Sequence, residues 1–184
     1  MLKKSLCLFV FNILCIYSFS QDVKNNEERP KTKMEEFFSR TGGIVKFIDY
    51  KLPNLKSSYA TALTWVREVS SENVSLYFYQ IEKKGQYSDV TASIEYGDLL
   101  ELLKALDALK SEVERDKNAD PDYLENKFIT DDGFQLGYYI SKGKATWFLK
   151  LERYGSDNTL YLSDVETISN SFQAAKLKIE ELKK

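Results

Sequence analysis

The sequence predicts an α+β domain made of two tandem ββββα units, largely antiparallel sheets each followed by a long amphipathic helix in a pseudo-two-fold arrangement. Three observations predict it. Leu99, Leu102, Leu106, Leu109 and Val113 recur at alternating three- and four-residue steps, the stripe of a helix that buries one face. Shifting those five positions by 66 residues lands in order on Val165, Ile168, Phe172, Ala175 and Ile179, a second stripe of the same kind. Before each helix the chain breaks into short β-branched and aromatic runs separated by turn residues, the pattern of hairpin-linked strands.

The chain has 184 residues and opens on an export signal. Lys3 and Lys4, an apolar run from Ser5 to Tyr17, and Ser18-Phe19-Ser20 before Gln21 match the parts of a secretory signal peptide cut after Ser20. The run is shorter than the roughly 20 apolar residues that a membrane-spanning helix needs. Lipidation at Cys15 is disfavoured by the bulky Leu14 before it. Cys7 and Cys15 are the only cysteines, so the exported chain has no disulfide, thiolate metal site or cysteine nucleophile. Residues 21–33 are polar and aperiodic and read as a flexible tether. A single domain follows over 34–184, with its first unit at about 44–114, a linker at 115–123 and its second unit at about 124–183.

Within the first unit, Met34–Arg40 reads as a short helix carrying Phe37 and Phe38 and stopped by Thr41-Gly42-Gly43. Strands are expected at Ile44–Tyr50, Tyr59–Val69, Val74–Glu82 and Thr91–Tyr96, with a Pro53 loop over Lys51–Ser58. The helix runs from about Asp98, its expected cap, to Glu114. In the second unit Lys127-Phe128-Ile129 repeats Lys46-Phe47-Ile48, and Asp131-Asp132-Gly133 turns the chain into a strand at Phe134–Ser141. The run Thr146–Gly155 lies on Leu76–Gly85 with three of ten positions identical. Thr159–Leu162 is the fourth strand, and Ser163 with Glu166 forms a capping box for a helix at about Asp164–Leu182.

The chemistry of the chain is defined mostly by what it lacks. There is no histidine, so with no exported cysteine the common nucleophile–base pairs are missing. No P-loop or dinucleotide-binding glycine motif is present, and neither a cofactor nor a metal is expected. Asp131-Asp132-Gly133 reads as turn chemistry; a calcium site needs more oxygen ligands than it supplies. Asn118, Asp120 and Asp122 read as a solvated linker, and Asn73-Val74-Ser75 fits a glycosylation sequon. The net charge is −2, and loss of Lys3 and Lys4 makes it −4, which disfavours a nonspecific grip on phosphate backbones or anionic lipid.

One surface stands out. Side chains alternate along a strand, so Trp147, Leu149 and Leu151, like Tyr77, Tyr79 and Ile81, point to one face, and Phe148 and Phe78 to the other. Val66 and Leu76 are expected to join Phe78 there, and Tyr139 to join Phe148. Either a second core layer covers these five residues, drawn from the other half or from Phe37-Phe38, or they form a binding face for a protein or extended ligand.

The doubled ββββα order over about residues 44–182 resembles, in element order, the Whirly family of single-stranded DNA binders. That resemblance implies two units packed pseudo-symmetrically. Those binders set basic stripes beside aromatic platforms, whereas here the lysines are dispersed among acids and no nucleic acid is expected. In overall style (export signal, polar tether, one domain rich in Tyr, Lys and Asn) the chain resembles the small uncharacterised secreted proteins of Gram-negative bacteria, which implies a periplasmic or extracellular location. The sequence thus favours an exported, non-catalytic binding or assembly module of the cell envelope. An exported hydrolase using a carboxylate pair is the second reading, and single-stranded nucleic-acid binding, by analogy of fold, the third.

Overall fold

The computed structural model describes residues 31–39, 43–72, 74–86 and 88–184. The expected export signal, the expected tether up to residue 30, Arg40, Thr41 and Gly42 of the expected helix end and stop, and the sequon's Asn73 lie outside them. The protein is α+β, with two antiparallel sheets each followed by a helix. A short helix α1 (Lys33–Phe38) leads into the first sheet, built from β1 (Val45–Lys51), β2 (Leu55–Lys56), β3 (Thr61–Ser71), β4 (Val74–Lys83) and β5 (Val90–Glu95). Its strands lie in the order β1-β3-β4-β5, with the two-residue β2 also pairing β3. After α2 (Tyr96–Asn118) come β6 (Tyr123–Ile129), β7 (Gln135–Ser141), β8 (Lys144–Lys150) and β9 (Thr159–Leu162), a meander in sequence order, and finally α3 (Val165–Leu182). No helix among the described residues is long and apolar enough to cross a membrane.

Several local expectations change. Thr32 and Lys33, read as tether, belong to α1: the Thr32 hydroxyl accepts from the Glu35 amide while the Glu35 carboxylate accepts from the Thr32 amide at 2.8 Å. The Pro53 loop holds β2, which makes the first sheet five-stranded. α2 starts two residues before the expected Asp98, because Glu95 is in extended conformation and its carboxylate takes the Gly97 amide at 2.7 Å; Asp98 instead pairs with Lys33. Asp164, not Ser163, caps α3, accepting from the Thr167 amide at 2.8 Å. That bond holds the Asp164 carboxyl below the usual carboxylate range. Of the run Thr146–Gly155, only the part up to Lys150 is strand. Beyond Leu151 the chain folds around buried Asn158, whose amide nitrogen donates to the Glu152 and Tyr154 carbonyls.

The inner faces of both sheets and both long helices share one core. Leu99, Leu102, Leu106 and Leu109 of α2 and Ile168, Phe172, Ala175 and Ile179 of α3 are buried in it, as both stripes predict. Burial of each large apolar side chain contributes about 1.5–3 kcal/mol. The helices are exchanged between the halves. α2 packs on β6, β7 and β8 of the second sheet as well as on β4 and β5, and α3 lies on β2 and β3 of the first sheet as well as on β9. Two buried tyrosines mark that exchange. The Tyr79 hydroxyl of β4 shares a 2.6 Å bond with Ser171 of α3, and the Tyr138 hydroxyl of β7 donates to Asp116 of α2 at 2.7 Å. Burial pushes each phenol up to about 12.

The strand registers correspond between halves. Val66 faces Tyr79 and Leu136 faces Leu149, pairs related by 70 residues; Tyr79 then faces Ile94 as Leu149 faces Leu160. The tripeptide echo does not share this frame. Phe128 faces Leu136, so its register counterpart is Tyr50 facing Val66, whereas Phe47 faces Val69 on the other side of the sheet. Phe128 packs against the core and Phe47 is half exposed, so the repeated tripeptide is not an equivalent position.

Candidate functional site

The outer faces of the two sheets differ in what lies over them. On the first sheet, α1 lies across β4 and β5. Its Phe37 is buried with Phe78 and Val69, and Met34, Phe38, Val45 and Leu76 pack around them. The Lys33 amide donates to the Asp132 carboxylate, so the helix is tied to the β6–β7 turn of the second sheet; the Lys33 ammonium reaches Asp98 at 2.5 Å. Burial pushes the Asp132 carboxyl up, against the Lys33 amide, and the neighbouring Asp98 charge adds to the rise. Phe78 is fully buried, so on this side the phenylalanine belongs to a second core layer. Val66 is not on this face. It is opposite Tyr79, so its side chain points into the main core.

The second sheet turns a different surface outward. Alternation along its strands places Tyr123, Glu125 and Lys127 of β6, Gln135, Gly137 and Tyr139 of β7, Phe148 and Lys150 of β8, and Thr159 and Tyr161 of β9 on one side. No helix among the described residues packs on it. These side chains line a shallow depression of about 450 Å³. Tyr123 stacks on Tyr139 with ring centres 6.2 Å apart, and Tyr161 meets Tyr139 edge-on at 6.4 Å. Tyr123 is 61% exposed and Tyr161 40%, while Phe148 between Gly137 and Tyr161 is 7% exposed and forms the floor.

Gly137 makes room for that floor. A Cβ there would lie 2.5 Å from the Asn126 carbonyl oxygen and 2.6 Å from the Lys127 Cβ, so β6 and β7 approach closely only because the side chain is absent. The turn between β7 and β8 sets the register: Lys142 and Gly143 both have positive φ (52° and 70°), as a two-residue hairpin turn requires. At the rim, Glu125 accepts from the Tyr123 hydroxyl and from the Lys127 ammonium, each at 2.6 Å. Lys127 and then Tyr123 hold its carboxyl below the usual range. Partly exposed rings beside tyrosine hydroxyls and rim charges give a surface able to bind a ligand with both flat apolar and polar parts.

Of the five residues expected on one face, the structure therefore brings together only Tyr139 and Phe148. Leu76 and Phe78 lie under α1, and Val66 is in the core. Tyr123 and Tyr161 were missed by the sequence reading. Tyr123 fell in the expected linker, and Tyr161 alternates with the core residues Leu160 and Leu162, a signal that was present. The acidic Asp131-Asp132-Gly133 segment is a turn, with Gly133 at φ +91° and its amide donating to the Thr130 carbonyl. Among the described residues no cluster of acids could hold a metal ion. No family model, curated protein or solved structure matches this chain.

Proposed function

We propose that this protein is an exported, non-catalytic binding module of the cell envelope, and that it takes its ligand or partner on the outer face of the second sheet. One observation carries the reading: of two sheets with matching registers, one has Val69 and Phe78 of its outer face sealed by α1, with Phe47 and Leu63 beside them exposed, and the other gathers three tyrosines around a phenylalanine floor in contact with solvent. A set of aromatic side chains that close together is an unusual thing to leave open unless something docks on it. Export rests on the sequence of the first twenty residues, and a mature chain beginning at Gln21 in the periplasmic or secreted fraction tests it by mass.

Retention of envelope material on the immobilised chain tests the binding face. Material that is held by the native chain and released from a Tyr139→Ser, Tyr161→Ser double variant is the expected result; equal retention by both overturns the reading. We also propose that the two halves are copies of one ββββα unit related by a pseudo-two-fold axis, with β2 added in the first. The equal registers at a 70-residue offset support this. Homologues whose halves align through the last three strands and the helix would bear it out, and homologues whose halves share only the helix stripe would overturn it.

A further inference from the structure

We infer that the ligand of the open face is an acidic oligosaccharide, a chain of sugar rings bearing carboxylates; this rests on the reading of that face as the binding surface. The three tyrosines form an unbroken line of ring contacts from β6 through β7 to β9. With neighbouring ring centres 6.2 and 6.4 Å apart, that line is longer than one sugar ring can cover. Sugar rings have flat apolar C–H faces edged by hydroxyls. Tyrosine rings suit the faces, and Gln135, Thr159 and the phenolic hydroxyls suit the edges.

Charge selects within the sugars. Lys127 and Glu125 neutralise each other at 2.6 Å. Lys150, in the cross-strand row between Gln135 and Thr159, has no ion pair among the described residues. Lys150 also acts on the Glu125 carboxylate through space, so two ammonium groups share one carboxylate and the depression keeps a net positive charge in a chain whose net charge is −2; a carboxylate is its complement. A peptide strand would find its main-chain groups unpaired here, because the backbone on a sheet's face is already used within the sheet. A nucleic-acid strand would find stacking but needs a cation for each phosphate along its path.

Calorimetric titration of the chain with oligogalacturonate, with an uncharged cello-oligosaccharide and with oligothymidylate tests the inference, with the contact surface mapped by ¹⁵N chemical shifts. The expected result is binding of oligogalacturonate alone, lost in Tyr139→Ser and weakened about three- to tenfold in Lys150→Gln, with the amide spectrum of each variant checked against that of the native chain. Failure of oligogalacturonate to bind overturns the inference. So does equal or tighter binding of either other probe on the same resonances, which would leave the face itself standing as the binding surface. Oligogalacturonate that binds and shifts only resonances elsewhere in the chain overturns both the inference and the reading of the face.

Discussion

Phe78 and Phe148 occupy equivalent register positions on the third strands of their meanders, one residue before Tyr79 and Leu149. Phe78 is sealed beneath α1, while among the described residues Phe148 is screened by the side chains around it on its own sheet. The strands themselves do not decide this. The cover comes from a six-residue helix outside both meanders, held by its capping box and by the Lys33–Asp132 and Lys33–Asp98 contacts. Among the described residues the second outer face has no counterpart of that helix, and its aromatics are arranged with hydroxyls and ammonium groups at the rim rather than as a dry layer. A sheet's second face is thus made core or surface by segments that contribute no strand to it.

Perturbations of the two faces should differ in size as well as in kind. Phe78→Ala removes a fully buried ring and is expected to cost about 3–5 kcal/mol in urea denaturation; a cost like that of an exposed residue would show that α1 does not close the face in solution. Gly137→Ala forces a Cβ against the Asn126 carbonyl and the Lys127 stem and is expected to cost about 1–3 kcal/mol, with disturbed amide shifts confined to β6 and β7. Thr32→Ala removes the N-cap of α1, and a loss of about 1 kcal/mol in the protection of that helix is expected from hydrogen exchange. Tyr139→Ala, on the open face, should cost under about 1 kcal/mol, since only cross-strand contacts are lost.

The smallest effect concerns the tie between the faces. Burial raises the Asp132 carboxyl, so the folded chain holds its proton to higher pH than the unfolded chain, and stability falls as pH rises from the ordinary carboxylate value through the raised one. Asp132→Asn keeps an acceptor for the Lys33 amide. It is expected to raise the melting temperature slightly at pH 7, with the gain vanishing as pH falls below the ordinary carboxylate value. A gain that persists there would mean that the side chain's charge is not what is relieved.

Much of the fold was legible because it depends on local pattern. All eight residues that the two helices bury lie on the stripes read from spacing alone. Caps were less legible: Glu95 and Asp98, or Ser163 and Asp164, are chemically equal candidates, and only backbone geometry chooses between them. The misplacement of Val66 was avoidable. Ser71 faces Val74 across a two-residue turn, and any even-numbered turn pairs an even residue of β3 with an odd one of β4, which puts Val66 with Tyr79 and not Phe78. What covers each outer face was not legible, because the docking of α1 depends on contacts between residues as distant as Lys33 and Asp132.

The exchange of helices has a consequence for the order in which the protein is made. A ribosome emits β1 to β5 and then α2, yet the inner face of the first sheet is finished only by α3, the last eighteen-residue element of the chain. The Tyr79 hydroxyl waits for Ser171, ninety-two positions downstream. Each half's inner face is covered in part by the other half's helix, so the core rests on contacts between distant parts of the chain, the kind that folds slowly.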